Sequence, residues 1–241
     1  MSVRNSVVDP RPAGPGRPRA GEDRSLGARR RTQADRSART RNALLESAAR
    51  GISRHGYANL VLDQVARDAG YTRGALYHQF ADKEDLALSV VAWADETWRA
   101  EVGRRLDRER DPALALIELA RGHAVLCRRD VARVAIALRL EFGAREHPVG
   151  REVKRVTDSL ITRCARLIRA GRKAGSIPPG PPARAVALAL VGAVEGAVIE
   201  LAGQAPHDEL LAARAAAGVL GLERVPDDAH EGRSHTTTQE V

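Results

Sequence analysis

The apolar positions of this chain recur at helical spacing nearly throughout. Leu45, Ala48, Ala49 and Ile52 share one face; Leu86, Val90 and Trp93 repeat at i, i+4 and i+7. Farther on, Val153, Val156, Leu160, Cys164 and Leu167 form a long stripe, with Arg151, Lys154, Arg155 and Arg166 on the opposite side. No run alternates apolar and polar residues over the length of a strand, so the expected class is all-α.

Caps and breakers divide the pattern. A first helix begins somewhere in 32–40 and ends at Arg54-His55-Gly56, a cation-rich, glycine-terminated end. A second covers about 62–69, closed by Gly70. The third covers about 72–79, with Thr72 as N-cap, and Asp82 caps a fourth. Asp111-Pro112 supplies an N-cap and a first-turn proline for a helix reaching about 127. Helices over about 130–142 and 149–170 follow, Gly171 ending the latter. The segment SIPPGPP at 176–182 is a turn-rich connector, and helices over about 183–202 and 207–220 complete a count of three plus six.

At 241 residues and 43% hydrophobic content the chain can bury one large core or two small ones. The +8 net charge is unevenly placed: residues 1–41 carry eleven arginines against Asp9, Glu22, Asp23 and Asp35, a balance of +7. With Pro10, Pro12, Pro15 and Pro18 and no apolar period, residues 1–31 read as a disordered basic arm. Such an arm suits a polyanion such as the phosphate backbone of DNA, or else serves only as a solvated tail. Residues 224–241 read as a disordered polar tail. Cys127 and Cys164 have no CxxC spacing and fit core thiols of a cytoplasmic protein. No secretory signal is evident. The apolar run at 185–202 is broken by Glu195 and Glu200, so it fits a buried helix better than a membrane span. There is no GxSxG, HExxH, P-loop or dinucleotide fingerprint and no histidine cluster at metal spacing, since His230 and His235 fall in the tail. An enzyme is therefore not expected, nor a metal or cofactor.

The chemistry concentrates in residues 62–80, LDQVARDAGYTRGALYHQF. There Leu76 and Phe80 share one helical face and can dock on Val65, Ala66 and Ile52, leaving Arg73, Tyr77 and Gln79 outside it. Such a ridge fits a major groove about 12 Å wide, where Arg73 can read a guanine edge or grip phosphate. Ala69-Gly70 permits the sharp turn between the helices. An all-α interaction module with only an incidental helix-turn-helix pattern is the alternative, and an enzyme a more distant one.

The order Gly56-Tyr57, Val65-Ala66, Ala69-Gly70, Arg73-Gly74-Ala75-Leu76-Tyr77, Phe80, Lys83 and Leu86 resembles the N-terminal domain of the TetR repressor family over about 32–86. The resemblance implies a three-helix DNA-binding head at 32–82. It also implies a six-helix ligand-binding and dimerising body at 83–223, the whole a homodimer on a palindromic operator, released by an unidentified small-molecule inducer. By the family's pattern Thr72, Arg73, Gly74, Tyr77, His78 and Gln79 stand at DNA-contacting positions, and Lys83 at a phosphate-contacting one. Two departures stand out. Leu60-Val61 occupies the place of the usual Ser or Thr before the second helix, so either Asn59 caps it or that contact is missing. Gln79 stands where many members have His. In the arm, Gly16-Arg17-Pro18-Arg19 resembles the core of an AT-hook; Arg17 and Arg19 either enter a minor groove or add diffuse attraction.

For the body, Ala189, Gly192, Ala193, Gly196 and Ala197 allow close approach of another helix. With the last helix they form the candidate dimer face, or else the centre of a monomeric bundle. Candidate ligand-lining residues are Trp93, Trp98, His123, Cys127, Glu141, Phe142 and Glu195, each with packing or ion pairing as its alternative. Glu195, a carboxylate on an apolar helix, needs Arg139, Arg163 or a cationic ligand.

Overall fold

Helix follows helix from Ala20 to Leu220 in the computed structural model, which describes residues 20–143 and 146–226. The order is α1 (Ala20–His55), α2 (Leu62–Asp68), α3 (Arg73–Gln79), α4 (Lys83–Trp98), a π-helical turn (Arg99–Gly103), α5 (Arg104–Arg108), α6 (Pro112–Leu126), a 3-10 turn (Asp130–Arg133), α7 (Val134–Phe142), α8 (Pro148–Ala174), α9 (Ala183–Leu201) and α10 (His207–Leu220). Taking the unbroken run from α4 through α5 as one rod gives nine rods among the described residues, with no strand among them.

The caps act as the sequence suggests. Asp82 Oδ1 accepts the Asp85 N–H at 2.8 Å to open α4, and Asp111 Oδ1 accepts the Ala113 N–H at 2.7 Å ahead of Pro112. Three boundaries differ. Helix α1 begins at Ala20, ahead of the 32–40 window and inside the stretch expected to be disordered. No proline lies between Pro18 and Pro112, so nothing stops Ala- and Arg-rich sequence from propagating helix backward. Helix α8 runs past Gly171 to Ala174 and ends at Gly175, with φ 83°. Gly171 is instead a packing glycine, since a Cβ there would lie 2.6 Å from Ile177 Cδ1. Residues 130–133 form a 3-10 turn before α7, and the rod begun by α4 continues through the π turn to Arg108. The basic arm's remaining residues 1–19, with Arg17 and Arg19, lie outside the described residues, as do His230 and His235.

The chain falls into two compact units that divide between Thr40 and Arg41. Within the first, residues 33–39 are exposed and the Thr40 hydroxyl donates to the Arg36 carbonyl at 3.0 Å. The second has two apolar clusters. One gathers Ile52, Val65, Leu76 and Phe80 with Leu86, Val90, Leu138, Phe142 and Val149. The division expected at 82/83 is therefore no break in packing: α4, α7 and α8 complete the core on which α1–α3 sit. The other cluster unites α6, α8, α9 and α10 through residues such as Leu116, Ile168, Leu190 and Ala216. It extends to Val225, so the buried body reaches into the stretch 224–241 expected to be a tail. An Arg128–Asp208 pair ties α6 to α10, with both carboxylate oxygens accepting at 2.8 Å. No helix among the described residues is long and apolar enough to cross a membrane.

Candidate functional site

Helices α2 and α3 meet through Ala69-Gly70-Tyr71-Thr72. Gly70 sits at φ 78°, a left-handed conformation that an L side chain adopts only at a cost. Thr72 Oγ1 accepts the Ala75 N–H at 3.2 Å and opens α3. Leu76 and Phe80 are buried, 0% and 1% exposed, so α3 is anchored by one face. The opposite ridge carries Thr72, Arg73, Gly74, Tyr77 and His78, all exposed; Gln79 is half-buried. The Arg73 guanidinium lies 5.3 Å from the centroid of the Tyr77 ring and pairs with Asp63 at 3.2 Å across the turn. That exposed pair holds the side chain loosely and can be exchanged for a base or phosphate. Lys83 has a different setting. Its Nζ donates to the Ala58 carbonyl at 2.9 Å and lies 4.8 Å from the centroid of the Tyr57 ring, so it braces the turn after α1.

The entrance to α2 settles one of the alternatives left open by the sequence. Val61 is its N-cap, 58% exposed and without any side-chain cap bond, while the Asn59 amide turns back to donate to the His55 carbonyl at 2.9 Å. Asn59 thus closes α1 and does not cap α2. Arg41, unremarked in the sequence, locks the far end of α3: it donates to the Gln79 carbonyl (3.0 Å) and the Ser89 hydroxyl (2.9 Å) and lies over the Phe80 ring. Its only sequence signal was a cation one turn before the Leu44-Leu45 core positions.

In the body, a cavity of about 290 Å³ opens between α4, α6, α7, α8 and α9. It brings together four of the seven candidate ligand-lining residues, Trp93, Trp98, His123 and Glu195, against an apolar wall that includes Val91, Ile136 and Leu160. The Trp98 indole N–H donates to His123 Nδ1 at 3.2 Å, which places the imidazole proton on Nε2, 3.7 Å from Cys127 Sγ. The surface that His123 retains faces the cavity, and burial lowers its pKa to about 4, so the ring is neutral. Cys127 packs behind His123 in the core, outside the lining, and burial pushes its thiol up to about 12. Cys164 is shifted likewise, and neither thiol is a ready nucleophile. Glu195 takes Arg139 as its partner; burial raises its carboxyl against the opposing pull of that guanidinium. Sequence reasoning missed Thr97, Thr157 and Arg163 in the lining, because a hydroxyl or cation at helical spacing does not declare which way it faces.

Glu141 and Phe142 do not line this cavity. At the end of α7, the Glu141 carboxylate accepts the N–H groups of Tyr57 (2.5 Å) and Ala58 (2.7 Å), just after Gly56 at φ 78°. Phe142 stacks on His147 with centroids 4.5 Å apart and tilts against Tyr57 at 5.2 Å. Both residues lie on the i+3/i+4 side of Leu138, which faces α1–α4 and not α9.

Residues 44–90 match the sequence model of a family described as "Bacterial regulatory proteins, tetR family". The chain is 26% identical over 147 residues to the A-factor receptor protein of Streptomyces griseus, covering 60% of this chain and 48% of that protein. It is 37% identical over 68 residues to the HTH-type transcriptional repressor AcnR of Corynebacterium glutamicum, covering 28% of this chain and 36% of the other. It thus spans about half the length of the first relative and about a third of the second. Among solved structures, a TetR-family transcriptional regulator from Agrobacterium tumefaciens superposes with a TM-score of 0.65 at 21% identity, covering 77% of this chain and 97% of that one. AibR in complex with isovaleryl coenzyme A and operator DNA does so with a TM-score of 0.60 at 20% identity, covering 76% and 96%. These two establish a common fold. With a helix-turn-helix whose buried and exposed faces divide as the motif requires, residues 44–90 form the domain shared by the bacterial regulatory proteins of the tetR family.

Proposed function

We propose that this chain is a cytoplasmic, ligand-responsive transcriptional regulator that binds a palindromic operator as a homodimer and releases it when a small molecule fills the body cavity. The observation that carries the DNA-binding reading is the division of α3: Leu76 and Phe80 anchor it while Arg73, Tyr77 and His78 are exposed on the opposite ridge. Thr72 and Gly74 then lie where the helix start approaches the backbone, and Gln79 at its far end. Lys83, already bound to Ala58, contributes to phosphate contact only by leaving that carbonyl. Arg17 and Arg19 of the arm add minor-groove or diffuse phosphate contacts.

Dimerisation is supported by an exposed apolar stripe on α9, comprising Ala185, Leu188, Ala189, Gly192, Gly196 and Ile199, beside Leu211 and Gly218 on α10. Leu188 and Ile199 are each 50% exposed, and nothing lies within 4 Å of a Cβ placed on Gly192, Gly196 or Gly218. A second copy of the same pair of helices would cover this face, and two α3 helices could then address successive major grooves about 34–36 Å apart. The relative named as a repressor favours repression, and the AibR complex with both an acyl-CoA and DNA favours an effector-controlled switch.

Selection of bound duplexes from random DNA tests the reading. The expected result is a palindrome with half-sites about one helical turn apart, bound by the native chain and not by an Arg73→Ala, Tyr77→Ala variant. Enrichment of no sequence at any salt concentration would refute sequence-specific binding. Removing residues 1–31 should flatten the dependence of affinity on salt, and an unchanged slope excludes the arm.

A further inference from the structure

We propose that the body cavity takes an uncharged molecule of about a dozen nonhydrogen atoms, apolar except for a hydrogen-bond-donating group such as a hydroxyl. The inference rests on reading this cavity as the effector site and specifies what that effector is.

Size comes first. A dry apolar cavity of about 150 Å³ is enough to bind benzene, so about 290 Å³ suits a ligand roughly twice as large. A coenzyme A thioester is several times larger and carries phosphates, so at most its acyl end could enter.

Charge comes second. Each guanidinium at the cavity is tied to a carboxylate: Arg99 to Asp95 at 2.7 Å, Arg129 to Glu101 at 2.8 Å and Arg163 to Asp107 at 2.5 Å. Of the carboxylates, Glu195 is held by Arg139 and Glu46 by Arg50. The three arginine pairs are open to solvent on at least one side, whereas a charge carried to the inner wall of Val91, Ile136 and Leu160 would lie without a counter-ion, which is costly.

Hydrogen-bonding polarity comes third. The Trp98 N–H is spent on His123 Nδ1, an acceptor that is thereby also used. The hydroxyls of Thr97 and Thr157 donate to the carbonyls four residues back, Trp93 at 2.8 Å and Val153 at 2.9 Å. Their oxygens therefore offer lone pairs and no proton. A ligand hydroxyl donating to either is accepted, whereas a ligand with acceptors alone finds these donors engaged and is left with the exposed Ser159 hydroxyl of the lining.

Trp93 and Trp98 are the only tryptophans of the chain and both line the cavity, so intrinsic fluorescence reports its occupancy directly. The full-length protein is titrated with para-butylphenol, butylbenzene, para-butylbenzoate, para-butylbenzylammonium and isovaleryl coenzyme A. Operator binding is followed in the same solutions on the duplex obtained by selection. The phenol should change the fluorescence saturably and bind at least tenfold more tightly than either charged analogue, with butylbenzene in between. Ala94→Leu, which adds carbon to the cavity wall, should weaken the phenol severalfold in a chain of unchanged helicity. A charged analogue or isovaleryl coenzyme A that binds as tightly as the phenol overturns the proposal, as does a phenol titration without a saturable change. If the phenol fills the cavity and operator binding does not weaken, the switch reading fails while the ligand class stands. If a charged probe binds best and releases DNA, the ligand class fails while the switch stands.

Discussion

Gly56 and Gly70 form a natural control pair. Both sit at φ 78°, but a Cβ on Gly56 would lie 2.9 Å from Glu141 Oε2, whereas nothing lies within 4 Å of one on Gly70. Left-handed backbone costs an L residue about 1–2 kcal/mol, and alanine recovers part of that by restricting the unfolded chain, about 0.4–1 kcal/mol. Gly70→Ala should therefore destabilise by about 1 kcal/mol. Gly56→Ala carries the same strain and also pushes the carboxylate off the Tyr57 and Ala58 N–H groups. Buried charge-assisted hydrogen bonds contribute about 1.5–3 kcal/mol each. With Tyr57 half-buried and Ala58 exposed, the pair together is discounted to about 2 kcal/mol. Gly56→Ala should thus cost about 3 kcal/mol, roughly 2 more than Gly70→Ala. Urea unfolding followed by far-ultraviolet circular dichroism measures both, compared at equal m. The decisive arm is the Glu141→Ala background, where no carboxylate remains to be displaced and the two glycine substitutions should cost the same. Equal costs in the native background, or an excess at Gly56 that survives removal of Glu141, would show that Glu141 does not hold this turn.

Other expectations are sharp enough to test singly. Arg73→Ala should shift stability by less than about 1 kcal/mol, because its Asp63 pair is exposed, yet weaken the selected operator by about 1–3 kcal/mol in a gel-shift titration. Gly171→Ala should destabilise by about 1–3 kcal/mol through overpacking on Ile177, and Ile177→Val should recover part of that loss in the same melt. Val61→Thr should raise the thermal midpoint through an added cap on α2 of about 0.5–1 kcal/mol. The Arg128 guanidinium holds the Asp208 carboxyl below the usual range; a depressed folded pKa stabilises at pH above the ordinary aspartate value and is lost as pH falls through the folded one. Unfolding midpoints of the native chain should therefore drop more steeply than those of Asp208→Asn between about pH 4 and pH 2.

The head was more legible than the body for a physical reason. Short helices joined by obligate turns write their geometry into single residues: Thr72 and Asp82 cap, Gly56 and Gly70 turn, and Leu76 with Phe80 declares the buried face. In the body, a helix packed on two sides buries residues toward both, so periodicity alone does not say which neighbour a side chain meets. Glu141 and Phe142 share a helix with Arg139, yet they turn toward α1 while Arg139 reaches Glu195 on α9. Gly171 showed the same weakness in another form. A glycine late in a helical pattern reads as a stop, but here it marks where Ile177 folds back against the helix. The helix beginning at Ala20 was hidden because charge and arginine content signal disorder as strongly as they permit helix.

Helix α7 has three settings within nine residues. Ala135 and Ile136 line the cavity, Arg139 pairs with Glu195 of its lining, and Glu141 with Phe142 grips the turn between α1 and α2. A helix this short moves as one body, because its internal hydrogen bonds are harder to break than its end contacts are to shift. A ligand that pushed Ile136 aside would therefore load both the Glu195–Arg139 pair and the Glu141 contacts with Tyr57 and Ala58. Breaking the pair leaves a half-buried carboxylate without its counter-ion, whereas the two N–H groups released by Glu141 can be hydrated. Carrying the carboxylate away would loosen the turn that Lys83 braces from the other side, immediately before the helix pair that carries Arg73 and Tyr77.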